Sequence, residues 1–474
     1  VLAVAATALV GLSLVQAPAN GAPDGTSARA TTVKNPFTNS KKQVRNGVFY
    51  YDGSTPITMA NVSTLKRKWG RAAVVVTTAK HPTDETPTVN AIHATGAKAY
   101  RYIQFFWAPS NGTQDRLDIS NGDGAFCFNK GTLLDPNGTP AVGRRTDGGK
   151  TTWWFVDANE RAVQTRIKSI LADLKADGWD GVMFDRGQAA TQYIKDINGR
   201  PVWSAQSQCT SDPVVQGATF ADSYVSMLRL ARAVGLGSVM NNGRSPFDRP
   251  VRMRPDPKDA DCRAARWSAC TFKNDIWNAV DLILSEVPTA PRIKDWKRHF
   301  AANKLNERDA THGHRVLNLI TTSSLGGRTH QNRRDVSYAW SRVKLFNLPV
   351  AVNTGDGGCG PDGSDSGVCN RYGNYPDLVN TTFGAPRTTG PSRTKCASGS
   401  LVSCVWFRPY ALGMDVVNVK GTTSKPTLST GLSTCRYVKD VYTRKYLAGG
   451  RCVKKFTIAM GAWTGHPLHY STRK

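Results

Sequence analysis

Two acidic residues close apolar segments that have the length and composition of buried strands. Asp185 ends the segment WDGVMFD, and Glu286 ends DLILSE. A carboxyl group at the end of an apolar strand is costly to desolvate unless it faces water, so both positions invite a functional reading. Two facing carboxylates, one protonated and one ionised, are what cleavage of a glycosidic bond requires. The first assists the leaving oxygen, and the second attacks the anomeric carbon or activates water.

Other residue types suited to sugars follow the apolar runs. Tyr51, Trp107, Trp153 and Trp154 offer flat faces on which a sugar ring can rest. Asn241, Asn242 and Asn353 offer amides for its hydroxyls, and Asp52, Asp157 and Arg186 are further candidate substrate contacts. Each has a competing structural role. Asp185 and Asp157 could cap helices, Asp185 could pair with Arg186, Asp52-Gly53 is an ordinary turn, and Asn241-Asn242-Gly243 is turn-like. No metal or organic cofactor is called for: there is no C-x2-C spacing, His312 and His314 lack a third ligand nearby, and no Gly-rich phosphate loop opens a helix.

Such residues need a scaffold that gathers strand ends. Eight short apolar runs recur along the chain: Val48 to Tyr51, Ala72 to Val76, Tyr100 to Phe106, Gly181 to Phe184, Ser238 to Met240, Leu282 to Ser285, Val316 to Ile320 and Leu348 to Val352. They are apolar throughout rather than alternating, as parallel strands buried on both faces are. Helical periodicity lies between them. Val163, Ile167, Ile170, Leu171 and Leu174 share one face, with Asp157 and Glu160 as a capping box and Gly178 as the stop. Tyr224, Val225, Leu228, Ala231 and Val234 form a second such face ending at Gly235, and Val336, Trp340, Val343 and Phe346 a third. Alternating strands and helices in this number predict an α/β fold, the (β/α)8 TIM barrel, whose strand-end residues meet on one rim.

The barrel is expected over residues 46–395, followed by a small all-β domain over 396–474, where β-branched and aromatic runs alternate with Gly and Thr clusters. Ahead of it, residues 1–22 read as a secretory signal with an A-x-A site at Ala17-Pro18-Ala19, and 23–45 as a flexible leader. Ten cysteines fit an oxidising compartment. Proximity pairs Cys262 with Cys270, Cys359 with Cys369, Cys396 with Cys404 and Cys435 with Cys452, leaving Cys127 and Cys209 for distant loops. The 474 residues carry 62 Lys and Arg against 35 Asp and Glu, a net charge of +27. Twelve Trp and an even spread of aromatics exclude a disordered chain. The charge suits an anionic polymer, but no nucleic-acid motif accompanies it.

The segment WDGVMFDRG and the helix ahead of it resemble the D-G-V-x-x-D fourth-strand motif of glycoside hydrolase barrels of the hypothetical glycosyl hydrolase family 15 type. They resemble more distantly the endo-α-1,4-polygalactosaminidase-like barrels, over about residues 46 to 355. The resemblance implies a (β/α)8 barrel with an appended β domain, Asp185 as the strand-four nucleophile and Glu286 as the strand-six acid/base. Arg186 departs from the expected Asn, Asp or Glu, and a cation there favours an ionised Asp185. The expectation is a secreted, monomeric, disulfide-bonded glycosidase that cleaves a polysaccharide, an anionic one among the candidates. It would have no specific nucleic-acid partner and no membrane attachment once the signal is removed. A sugar- or cell-surface-binding barrel without chemistry is the alternative.

Overall fold

The computed structural model describes residues 45–50, 56–77, 84–103, 107–109, 133–134, 141–142, 153–155, 161–184, 195–196, 206–207, 218–241, 279–288, 293–308, 316–321, 333–353, 375–394, 396 and 402–473. Eight parallel strands close into a barrel: β1 (Gly47–Tyr50), β2 (Val74–Thr77), β3 (Lys98–Ile103), β4 (Gly181–Phe184), β5 (Gly237–Asn241), β6 (Leu282–Pro288), β7 (Val316–Thr321) and β8 (Val350–Asn353). Their order around the barrel is their order in the chain, and β8 closes the ring by pairing Ala351 with Gly47. Each strand falls on one of the eight apolar runs. The fold is the (β/α)8 barrel that the alternation predicts.

The runs are apolar throughout because the barrel buries both faces of every strand. Val74, Val76, Met183, Val239, Leu284 and Leu319 fill its interior. The alternate positions Val75, Val182, Met240, Ile283 and Ile320 pack outward against helices. Those helices include α1 (Val62–Trp69), α2 (Thr86–Ala94), α3 (Arg161–Ala176), α4 (Ala218–Ala233), α5 (Ile293–Arg308) and α6 (Arg333–Lys344). On α3, Ile167, Ile170, Leu171 and Leu174 are buried, as the periodicity predicts. Gly178 and Gly235 leave α3 and α4 with φ of 94° and 79°, the left-handed region that suits glycine at a helix stop. Asp157 and Glu160, the expected capping box, lie outside the described residues.

A short helix, α7 (Pro376–Asn380), precedes the antiparallel C-terminal part. There β9 (Ser392–Arg393), β10 (Val405–Pro409), β11 (Gly413–Asn418), β13 (Tyr437–Asp440) and β15 (Thr464–Ser471) form one sheet in the order β9-β10-β11-β15-β13. A ribbon of β12 (Thr427–Ser429) and β14 (Lys455–Thr457) lies beside it. Cys396–Cys404 and Cys435–Cys452 are disulfide-bonded, the pairing that proximity suggested. The other six cysteines lie outside the described residues.

The amphipathic reading of α6 misses half of its surroundings. Its polar residues Ser337, Ser341, Arg342 and Lys344 are buried as fully as its apolar ones, because the C-terminal sheet covers them. Ser337 Oγ donates to the Gly465 carbonyl at 2.7 Å, and a Cβ at Gly465 would lie 2.6 Å from the Ser337 carbonyl oxygen. Arg408 of β10 donates to the Leu345 carbonyl at 2.8 Å, and the Tyr410 hydroxyl donates to that of Lys344, so the sheet caps the helix C-terminus. Trp406, Tyr410 and Val417 accordingly belong to the same apolar cluster as the barrel's outer layer.

Lys344 and Asp415 meet within this junction. Burial pulls the Lys344 ammonium down to about 7, opposed by Asp415, and burial pushes the Asp415 carboxyl well above its usual range. Between the ordinary pKa values of Asp and Lys the unfolded pair holds one proton. In the folded protein Asp415 keeps a proton that the unfolded chain has lost above pH ~4, so its contribution falls as pH rises from there, whereas the lowered Lys344 contributes stability that is regained above about pH 7. Lys344→Met removes the second contribution. Asp415 then keeps a raised folded pKa alone, the native state binds more protons than the unfolded one above pH ~4, and stability falls as pH rises from there. Denaturant unfolding between pH 4 and 8 checks this, and the Lys344→Met, Asp415→Leu double variant should lose the part of the slope that Lys344→Met shows.

Candidate functional site

The two ends of β4 do different work. At its start, the Asp180 carboxylate accepts the Ala99 N–H at 2.9 Å and pairs with His93 Nε2 at 2.8 Å, tying β4 to β3 and α2. Asp281 does the same ahead of β6, accepting the Ser238 N–H at 2.8 Å. These strand-start acids are joints of the barrel floor. Asp185 is the residue that follows the last residue of β4, Phe184, at the opposite end.

Gly181, the first residue of β4, is a packing glycine. A Cβ there would meet the Tyr100 ring at 2.4 Å and the Gly237 carbonyl at 2.6 Å. The Tyr100 ring fills the barrel floor above Gly181 and Gly237, and burial together with Asp281 and Asp180 holds its hydroxyl protonated, well above the usual range. Gly181→Ala is expected to destabilise the fold by ~1–3 kcal/mol through overpacking. Chemical denaturation checks it, and Tyr100→Phe should leave the penalty in place because the clash is with the ring.

Four expected site residues lie on described strands at the far ends. Asn241 is the last residue of β5, buried and in register with Leu284, and Asn353 is the last of β8, in register with Phe49. Glu286 lies within β6 opposite Leu319, because that strand runs on to Pro288 and past the run seen in the sequence. Trp107 opens a short strand beyond β3, in register with Phe155. That strand belongs to a four-stranded sheet with 153–155, 141–142 and 195–196, built from the segments after β3 and β4. Trp153 and Trp154 are in the same sheet. Tyr51, Asp52, Asp157, Asp185, Arg186 and Asn242 lie outside the described residues.

β4, β5 and β6 are consecutive around the barrel, and Met240 of β5 is in register with both Phe184 and Ile283. Position 286 is therefore three residues farther along than the level of Phe184, with Asn241 on the strand between. At ~4.8 Å between neighbouring strands, the backbones of β4 and β6 are about 10 Å apart.

Two further polar clusters went unread in the sequence. Arg101 Nε donates to both carboxylate oxygens of Glu85 at 3.0 Å, and both side chains are about 2% exposed. Glu85 precedes α2, so the pair fastens that helix to β3. In the C-terminal sheet, His466 Nδ1 lies 2.9 Å from Asp440 and its Nε2 3.2 Å from Thr464 Oγ1, the arrangement of an activated nucleophile. All three are buried, and Thr464 Oγ1 donates to the Gly461 carbonyl at 2.9 Å. With no access for a substrate, the trio ties β13 to β15. Among the described residues, no helix is long and apolar enough to cross a membrane.

No family model matches the chain, and no curated protein does. Among solved structures it is similar to a GH27 β-L-arabinopyranosidase from Geobacillus stearothermophilus, with a TM-score of 0.49, 11% identity, and 90% of this chain and 96% of that one covered. An α-amylase from Lactobacillus plantarum gives 0.48 and 12%, covering 90% and 99%. The isomalto-dextranase of Arthrobacter globiformis T6, complexed with panose, gives 0.47 and 12%, covering 91% and 73%.

Proposed function

We propose that this chain is a glycoside hydrolase that cleaves a polysaccharide with retention, with Asp185 as nucleophile and Glu286 as acid/base. The observation that carries the reading is the closed parallel barrel in which β4 and β6 flank a single strand, β5. In such barrels the residues at the C-terminal strand ends share one rim. Asp185 follows β4 in the chain, and Glu286 stands two residues before the end of β6. Asn241, buried on β5 between them, is suited to hold a sugar hydroxyl or to steady one carboxylate.

In this reading Asp185 attacks the anomeric carbon while Glu286 gives its proton to the leaving oxygen. Glu286 then takes a proton from water, which releases the sugar from Asp185. Retention requires the carboxyl groups ~5–5.5 Å apart, and ~6.5–9.5 Å would instead suit a single inverting attack by water. Arg186 next to the nucleophile favours its ionised form. Tyr51, Asp52, Trp107, Asp157, Asn242 and Asn353 serve as contacts for the rest of the polymer, with no metal or organic cofactor. The protein acts outside the cell as a monomer after loss of residues 1–22, with 46–395 carrying the chemistry and 396–474 an accessory domain.

The test is release of new reducing ends from a panel of bacterial and fungal polysaccharides, neutral and anionic, by the wild-type chain. Cleavage of one class supports the reading. Binding without cleavage would make the barrel a carbohydrate-binding module.

A further inference from the structure

The C-terminal part is more one-sided in charge than the chain as a whole. From Cys396 to Lys474 there are twelve Lys and Arg and two acids, Asp415 and Asp440. Both acids are buried, 0% and 1% exposed, so neither offsets the cations at the surface. Lys439, Arg444, Lys445, Lys454 and Lys455 are all exposed.

Two of these cations border a cleft. Between α7 and the β13 side of the sheet is a depression of about 380 Å³, lined by Asp377, Asn380, Thr381, Lys439, Arg444 and His469 among others. Its one acid is already engaged. Asp377 Oδ1 accepts from Arg333 Nη1 at 3.3 Å, and Oδ2 accepts from Arg444 Nε at 3.3 Å and from Arg333. Arg333 also donates to the Tyr442 carbonyl at 2.7 Å, so the loop carrying Arg444 is fixed to α6 and α7. Arg444 itself has φ of 62°, a conformation that side chains with a Cβ rarely adopt. A held turn thus presents a cation at the mouth of a cleft that also holds the Asn380 amide, whose Oδ1 accepts the Arg71 N–H at 2.6 Å, and the Thr381 hydroxyl, which donates to the Asp377 carbonyl at 2.6 Å and can still accept.

We infer that this cleft and the basic surface around it bind an acid-bearing polysaccharide, taking a carboxylate or sulfate between Lys439 and Arg444 and sugar hydroxyls at Asn380 and Thr381. The volume lies in the range of small-ligand sites, and amide and hydroxyl groups beside fixed cations suit a charged sugar. Among the described residues, the cleft lining holds no Phe, Tyr or Trp to serve as a stacking platform of the kind single-stranded nucleic acids use. The inference names a substrate class for the proposed hydrolase and rests on that reading for the choice of a polysaccharide among polyanions.

The experiment uses the full chain carrying Asp185→Asn, so that nothing is cleaved, with polygalacturonate, dextran sulfate, neutral dextran and duplex DNA as probes. Expected are salt-sensitive binding of polygalacturonate or dextran sulfate in preference to dextran and DNA, and a loss of roughly tenfold in affinity when Lys439→Gln and Arg444→Gln are combined. Lys439→Gln alone should give part of that loss with unchanged thermal unfolding, which separates recognition from folding. Lys425→Gln with Lys455→Gln, away from the cleft, should leave most of the affinity. The inference is overturned by equal binding in the cleft variants, by no binding of either polyanion, or by a preference for DNA. Hydrolysis by the wild type is read separately, so failure of the cleft and failure of the barrel chemistry stay distinguishable.

Discussion

Glu286→Gln is expected to lower turnover on a natural polysaccharide by roughly 10²–10⁴-fold, the usual contribution of a positioned acid/base, and Asp185→Asn by at least as much. The two losses should differ in kind. A substrate with a good leaving group, such as a dinitrophenyl glycoside, needs no proton for the first step, so Glu286→Gln should regain part of its rate there. It should gain further when azide replaces water as the attacking species. Asp185→Asn lacks the nucleophile, and neither change should help it. Rate measurements on both substrates, with and without azide, check this. Recovery of Asp185→Asn by the better leaving group alone would reassign the roles.

The second large effect concerns stability. Arg101→Met should destabilise the fold by ~3–5 kcal/mol, because it strands the Glu85 carboxylate in an environment where both partners are about 2% exposed. Equilibrium denaturation at neutral pH measures it. Replacing both partners, Glu85→Gln with Arg101→Met, should recover much of the loss, since a buried pair contributes little net stability over less polar groups of similar size. If the double variant is as unstable as Arg101→Met, packing rather than charge dominates at that joint.

The barrel was legible in the sequence because every strand is buried on two faces, which writes an unbroken apolar run at each of the eight positions. Helix stops at Gly178 and Gly235 were legible for a local reason, since a left-handed residue is required at each. Local pattern does not extend to what packs on a helix from far along the chain. Nothing near Lys344 in the chain marks it as buried, and Asp415 of the C-terminal sheet, some seventy residues later, is among its neighbours. Arg101 and Glu85 belong to no local motif, and only the packing of α2 on β3 joins them. The motif around Asp185 was legible as a motif, but the constraint on its glycine is the ring of Tyr100, a neighbour on the adjacent strand that no spacing within the motif reveals.

At the candidate site, Asn241 and Asn353 were legible as strand-end residues because polarity breaks each apolar run there. The strand boundary was less so. β6 continues through Glu286 to Pro288, since backbone pairing with β7 extends to Thr321 regardless of where side-chain polarity begins.

The anomeric configuration of the first sugar released, followed by proton NMR as the wild-type enzyme digests the polysaccharide it cleaves, tests the two-carboxylate account most directly. With Asp185 as covalent nucleophile, the product first appears with the configuration of the bond that was broken, and equilibrates only afterwards. Release of the opposite anomer from the outset would contradict Asp185 as a covalent nucleophile.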